Sequence, residues 1–466
     1  MSKLDTFFKI KENNTNIKTE IIAGITIFIA MAYILIINPV MLSETGMDIQ
    51  GVFIATALSA AIVTILMGCI TNYPYALAAG MGLNAFFTYT VVLGMGYSWK
   101  YALLAVFVSG IIFLIISFTS LREKLFYSIP NSLKSGISIG IGLFIIALGL
   151  NNLGILSYTS QVINIGDGNL AMQIIGLGSA STIFTVGNLL ALICFIIIIV
   201  LMKKDVKGNI LIGILATYII GVILELSGYP VLPDQSLIPT AIINNNLGES
   251  LGAVAFKFGD VTSGFNSIKS VLDFIIIAIT FLVISLFDTM GTLTALTTKV
   301  DGYDENGKIP RLRKVLNVDA LGPIIGSALG TSPVVTFIES STGIMEGGKT
   351  GLTAIVVGIL FLLAIPFAPI FTIIPTFAVS PALVVVGILM CGLYKKLDTN
   401  NISDLIPALA TIIVIPACQS ITTGIIIGVI SFVIVKILFG KSKEISKAMW
   451  TLFALLFIYM ILKLIM

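Results

Sequence analysis

"PYALAAGMGLNAFFTYTVV", residues 74–92, has the apolarity of a membrane span and the interruptions of a broken one. Pro74 leads it, Gly80 and Gly82 stand in its middle, and the amide of Asn84 follows two residues on. Lipid offers no water to an unsatisfied N–H or C=O, so a segment that leaves the helix at membrane depth must be surrounded by protein or a water-filled cavity. Proline cannot donate a backbone hydrogen bond and biases its predecessor away from helix, which predicts an extended first part and a helical second part. Taken alone, the glycines have a plainer reading, close helix packing through small residues.

The surrounding chain fixes the solvent. Hydrophobic residues make up 57% of 466 positions, charged residues 11%, and mean hydropathy is +1.08, which no soluble globular protein of this size approaches. The first apolar run, 21–40, has no small-residue cleavage site and is followed by many others, so it is a first span and not a removed leader. Apolar runs between breaks give fourteen spans, with the third at 75–93, the eighth at 272–290, the ninth at 315–331 and the tenth at 334–349. With the amino terminus cytoplasmic, 22 of the 26 Lys and Arg fall in inner loops, and only Lys100, Lys257 and Lys269 fall outside, with Lys463 in the last segment. That bias predicts both termini in the cytoplasm of a multi-pass protein of the cell membrane. The segments are then a cytoplasmic 1–20, seven spans over 21–229, an extracytoplasmic connection at 230–271, seven spans over 272–440, and 441–466 as a cytoplasmic or interfacial helix. The apolar tail could also be a further span, but the interface is the favoured reading. Cys69, Cys194, Cys391 and Cys418 lack CxxC spacing and read as packing residues, with no metal site implied.

Seven spans on each side of a connection force the second half to be inverted, a transporter signature. The tenth span, "GTSPVVTFIESSTGIME" (330–346), pairs with the third: Pro333 leads it, Glu339 takes the place of Asn84, and a helix is expected to follow. Two such segments meeting near the midplane would aim two helix N-termini, with their free N–H groups, at one cavity. The pairing turns the reading of Gly80 and Gly82 from packing to function, since a backbone without Cβ lets a ligand approach.

Two acids stand inside apolar runs, Asp288 in "FLVISLFDTMGTLTAL" (281–296) and Glu339. An ionised carboxylate near the bilayer centre costs on the order of 2.5–3.5 kcal/mol even on insertion scales, so it faces a cavity or a partner. The chain has no histidine, so a proton-coupled mechanism would use these carboxyls directly. A protonated carboxyl gains a donor, which lets it bind a heterocycle's ring nitrogens differently in its two states. Asp319 and Asp273 lie near predicted span ends and are expected to face water or cap helices, and Glu225 and Glu346 to be interfacial.

"GMGLNAFF" (80–87), "FDTMGTLTALTTKVDG" (287–302), "GTSPVVTFIESSTGIMEGGKTGLTA" (330–354) and "MAYILIINPVML" (31–42) resemble the signature segments of the nucleobase:cation symporter-2 family, in its purine permease branch of adenine, guanine and hypoxanthine transporters. The resemblance covers essentially the whole chain. It implies an all-α polytopic fold of fourteen transmembrane segments in two inverted seven-span repeats, divided into core and gate domains, with the third and tenth spans part strand and part helix. It places the binding asparagine on Asn84 with Gly82 beside it, and the two acids on Asp288 and Glu339. Uracil and xanthine relatives generally carry a glutamate where this chain has Asp288, which favours the purine branch.

The expected function is proton-coupled import of a purine nucleobase by alternating access. Asp288 and Glu339 would bind the ring N–H groups and at least one would carry the proton. Asn84 would contact the base or hold the crossing segments, and an aromatic such as Phe86, Phe87 or Phe287 would stack on it. The expected partners are the purine base, the proton and the lipid bilayer, with no nucleic acid and no cofactor; a homodimer is admissible. The alternatives are a same-fold transporter of xanthine or uracil, or of an anion such as sulfate, which paired carboxylates would repel. An enzyme would need a nucleophile with its base or a metal cluster, and neither spacing occurs.

Overall fold

The computed structural model describes residues 3–118, 130–165, 168–229, 231–232, 236–239, 241–244, 246–258, 265, 268–300, 310–418 and 420–465. Among them, nine helices are long and apolar enough to cross a membrane. After α1 (Lys3–Phe8), the first long helix is divided into α2 (Ile17–Met31) and α3 (Ile34–Ser43), with Tyr33 at the division. Next come α4 (Ile49–Thr71), strand β1 (Leu77–Ala79) and α5 (Met81–Ala85), which continues as a π-helix over Phe86–Gly94. Helices α6 (Trp99–Phe118) and α7 (Asn131–Asn152) precede a hairpin of β2 (Leu156–Ile165) and β3 (Gly168–Leu177). Then follow α8 (Val186–Lys203), α9 (Asn209–Leu226) and the short α10 (Leu247–Val254).

The second half holds α11 (Ile268–Val300), α12 (Leu312–Leu329), strand β4 (Val334–Thr336), α13 (Ser340–Met345) and α14 (Gly351–Ala364). It ends with α15 (Thr376–Cys391), α16 (Ile402–Cys418), α17 (Ile421–Leu438) and α18 (Lys447–Ile465). Helices α2, α4, α6, α12 and α14 pack mainly with one another, and α11 joins them through α6. Helices α7, α8, α9, α15, α16 and α17 pack into a second group.

Residues 77–79 are extended and 81–94 helical, and in the second half residues 334–336 are extended and 340–345 helical. β1 pairs antiparallel with β4 in the register Leu77↔Thr336, Ala78↔Val335, Ala79↔Val334, and all six residues are buried. Gly80 N donates to Pro333 O (3.1 Å) and Phe337 N to Ala76 O (2.9 Å), extending the ladder at both ends. The outward edge of β1 is paired as well: Thr64 Oγ1 accepts from Leu77 N (2.9 Å) and donates to Leu77 O (3.1 Å), and Ser340 Oγ accepts from Ala76 N (3.0 Å). A three-residue strand at this depth therefore leaves few backbone groups unmet, as burial requires.

Two buried charges fasten the packing. Glu20 on α2 is fully buried and accepts from Lys349 N, Thr350 N, Thr350 Oγ1 and Thr353 Oγ1 at 2.6–3.2 Å, tying the first span to the start of α14. Lys436 on α17, 3% exposed, meets Asp404 at 2.9 Å and Glu444 at 2.6 Å. Beyond the membrane helices, that contact with Lys436 holds the Glu444 carboxyl below its usual range.

Two expectations about acids are corrected. Asp319 is not at a water-facing end: α12 begins at Leu312, so Asp319 lies two turns in and is fully buried. Asp273 is 7% exposed and accepts from Tyr97 Oη at 2.8 Å. Of the cysteines, Cys194 is buried, while Cys69 and Cys418 are exposed, so packing describes only some of them.

Candidate functional site

The strand pair delivers two helix starts to one place. From β1 the chain passes through Gly80 into α5, and from β4 through Phe337, Ile338 and Glu339 into α13. The first N–H groups of α5 have no partner inside it and present a positive dipole end, whereas in α13 Ser340, Ser341 and Thr342 N donate to the carbonyls of Phe337, Ile338 and Glu339. A cavity of about 100 Å³ lies there, lined by Gly80, Met81 and Gly82 from the first crossing and by Thr336, Phe337, Ile338 and Glu339 from the second. Asp288 and Thr292 line it from α11, Tyr33 from the break between α2 and α3, and Val386 and Met390 from α15. The cavity thus sits where the first helix group meets the second.

Asp288 and Glu339 face this one cavity, and no Lys or Arg is among its lining residues. Tyr33 Oη donates to Glu339 Oε1 at 2.7 Å, fixing one carboxyl oxygen. Behind Asp288 sits Asp319. Its Oδ2 accepts from Thr289 Oγ1 (2.7 Å), and its Oδ1 accepts from Thr336 N (3.2 Å) and Thr336 Oγ1 (2.9 Å). One buried carboxylate thus joins α11, next to Asp288, to the end of β4, and it sets the spacing between the two halves of the site.

Asn84 is fully buried but does not line the cavity. Its Oδ1 accepts from Ser332 Oγ, and Ser332 also donates to Asn38 Oδ1 (3.3 Å). Asn38 Nδ2 in turn donates to Thr56 Oγ1 (2.7 Å) and Thr331 Oγ1 (2.8 Å). Through Ser332, Asn84 is thus linked to the segment that leads into β4. Gly80 borders the site: a Cβ there would lie 2.8 Å from Val335 Cγ2 and 3.3 Å from Asp288 Oδ2. Gly82 lines the cavity but also packs on the second group, where a Cβ would meet Ile141 Cγ2 at 3.0 Å.

Phe287 lies on α11, and its side chain is outside the described residues. Phe86 and Phe87 are fully buried against Phe281, with ring centroids 4.7 Å and 6.5 Å away, so neither is a cavity aromatic. Phe337 is one, and it was missed. Tyr33 was missed too, its signal being a lone hydroxyl in the apolar run "MAYILIINPVML". Among the described residues no group of His, Cys, Asp and Glu could hold a metal ion.

The Xan_ur_permease model, described as Permease family, matches residues 18–429. Guanine/hypoxanthine permease PbuG of Bacillus subtilis is 39% identical over 98% of this chain and 99% of its own length. Adenine permease AdeP of Escherichia coli K12 is 36% identical over 98% and 95%. Among solved structures, the transmembrane domain of the cyanobacterial bicarbonate transporter BicA superposes with a TM-score of 0.60 at 16% identity, covering 89% of this chain and 97% of that one. SLC26A9 superposes with a TM-score of 0.65 at 11% identity, covering 94% and 67%. The latter two share the fold. Matching over nearly its whole length, this multi-pass membrane protein belongs to the permease family of nucleobase:cation symporters, a family of transporters and not of enzymes.

Proposed function

We propose that the protein imports a purine nucleobase (adenine, guanine or hypoxanthine), driven by protons. The observation that carries this is the meeting of two carboxyl groups and two helix starts in one small cavity with no basic side chain. That combination favours a neutral ligand rich in both donors and acceptors. The relatives named as adenine and guanine/hypoxanthine permeases support the purine class.

In this reading Asp288 and Glu339 hydrogen-bond the ring, helix N–H groups from Met81 and Gly82 meet ring acceptors, and Phe337 covers one face. One of the two carboxyls carries the coupled proton. A donor–acceptor pattern complete only when protonated makes base and proton bind together, and that linkage is the coupling. Asp319, Tyr33 and Asn84 are positioning residues. The fourteen spans form inverted repeats with the amino terminus cytoplasmic, and the first helix group carries the site past the second in alternating access. A sulfate carrier on the same fold would have to place an anion against two acids, which counts against it.

The test is uptake of radiolabelled hypoxanthine, with hypoxanthine, adenine, guanine, xanthine and uracil as unlabelled competitors, in cells lacking their own permeases. Competition by the three purines without xanthine or uracil is expected. Strongest competition by uracil would overturn the purine reading, and indifference to a protonophore would overturn the proton coupling.

A further inference from the structure

We propose that α18 crosses the membrane, so that its end at Ile465 lies on the face opposite the turn at Ser442–Glu444 from which it starts. Met460, near the end of α18, lines a cavity of about 480 Å³ together with Ser420, Thr422 and Ile426 from the beginning of α17. Helix α17 runs from Ile421 to Leu438, and the short turn Ser442–Glu444 leads directly from it into Lys447. So α18 begins where α17 ends and comes back to where α17 begins. A helix lying in the interface plane, at a steep angle to α17, would touch only one end of it.

The surface of α18 agrees. Met449 (1% exposed), Leu456 (2%) and Met460 form a stripe against the protein, with Leu452 and Phe453 packed between them. The other side shows Trp450, Phe457, Ile458 and Ile461, each at least a third exposed and all apolar. An interfacial helix needs a strongly polar face rich in Lys and Arg. Between Lys447 and Lys463 the only polar residues are Thr451 and Tyr459. A helix apolar on both faces belongs in lipid. Its 19 residues span about 28 Å, close to the roughly 30 Å of a hydrocarbon core. Lys441 and Lys443 precede it, Lys447 opens it and Lys463 alone lies at its far end, the asymmetry expected of an outward crossing. Met460 then closes the lipid side of a cavity whose other walls are Thr90 and Met95, Ile276 and Ile277 of α11, and the start of α17.

The test compares two single-cysteine reporters in the full chain with its four cysteines replaced: Lys443→Cys, and a cysteine appended after Met466. Cells are treated with a membrane-impermeant maleimide before and after permeabilisation, and monodisperse behaviour on size exclusion checks folding. Labelling of one reporter and not the other in intact cells is expected, with both labelled after permeabilisation. Both reporters labelled, or both protected, in intact cells would overturn the proposal. In the unsubstituted chain, a split-GFP strand fused to either terminus is complemented from the cytosol. Fluorescence from one terminus only is expected, and fluorescence from both would overturn it.

Discussion

Asp288 and Glu339 share a cavity without a basic partner, and the account requires both to bind the base and one of them to carry the proton. Asp288→Asn is expected to abolish accumulation against a gradient while the protein still reaches the membrane; full proton-driven uptake would remove Asp288 from the mechanism. Tyr33→Phe deletes the donor to Glu339 at a cost of about 1 kcal/mol, so KM for uptake should rise several-fold with little change in Vmax. Asp319→Ala strips Thr289, Thr336 N and Thr336 Oγ1 of their acceptor. Hydrogen bonds to a charged group are each worth about 1.5–3 kcal/mol, so uptake should fall by more than tenfold, whereas a water-facing aspartate would tolerate the change. The cost of burying charge made the two cavity acids legible in the sequence. Asp319 escaped because a helix start set at 315 rather than 312 put it near an end. The role of Tyr33 rests on contact across 306 positions, which no local pattern carries.

At the scale of elements, the prolines and glycines announced two broken spans, and the antiparallel β1–β4 pair is the reason both can be broken. What the sequence left open was who satisfies the outer edge of β1. That work falls to Thr64, which appears in the sequence as an ordinary threonine in an apolar helix. Thr64→Val leaves the N–H and C=O of Leu77 unmet, at about 1–3 kcal/mol each, and should lower the thermal midpoint of the detergent-solubilised protein by several degrees. The two glycines should separate. Gly80→Ala pushes a methyl group between Val335 and Asp288 and should cost most of the uptake, whereas the Cβ of Gly82→Ala meets only the side chain of Ile141 and should cost less. Equal losses would mean that the site is not where the strand pair places it. The length of α11 was also hidden: the eighth span was set to end at 290, whereas "TMGTLTALTTKV" continues the helix to Val300 and leaves Asp288 well inside it.

For the whole molecule, hydropathy was enough to identify a polytopic membrane protein, and the family and its fold neighbours agree with that reading. Which helices pack together was not legible, because among the described residues Ile, Leu, Val and Phe recur on both exposed and buried helix surfaces. The grouping into α2, α4, α6, α12 and α14 against α7, α8, α9, α15, α16 and α17 emerges only from packing, and the cavity at their boundary is where relative movement would expose a ligand to either side. The central claim, that these paired carboxyls couple a purine to a proton, is tested most directly in proteoliposomes containing the purified protein and radiolabelled hypoxanthine. With an imposed gradient, interior alkaline, the account predicts transient accumulation above the external concentration. It predicts none without the gradient and none for Asp288→Asn or Glu339→Gln under either condition. Equal uptake with and without the gradient, or gradient-driven accumulation by both variants, would contradict it.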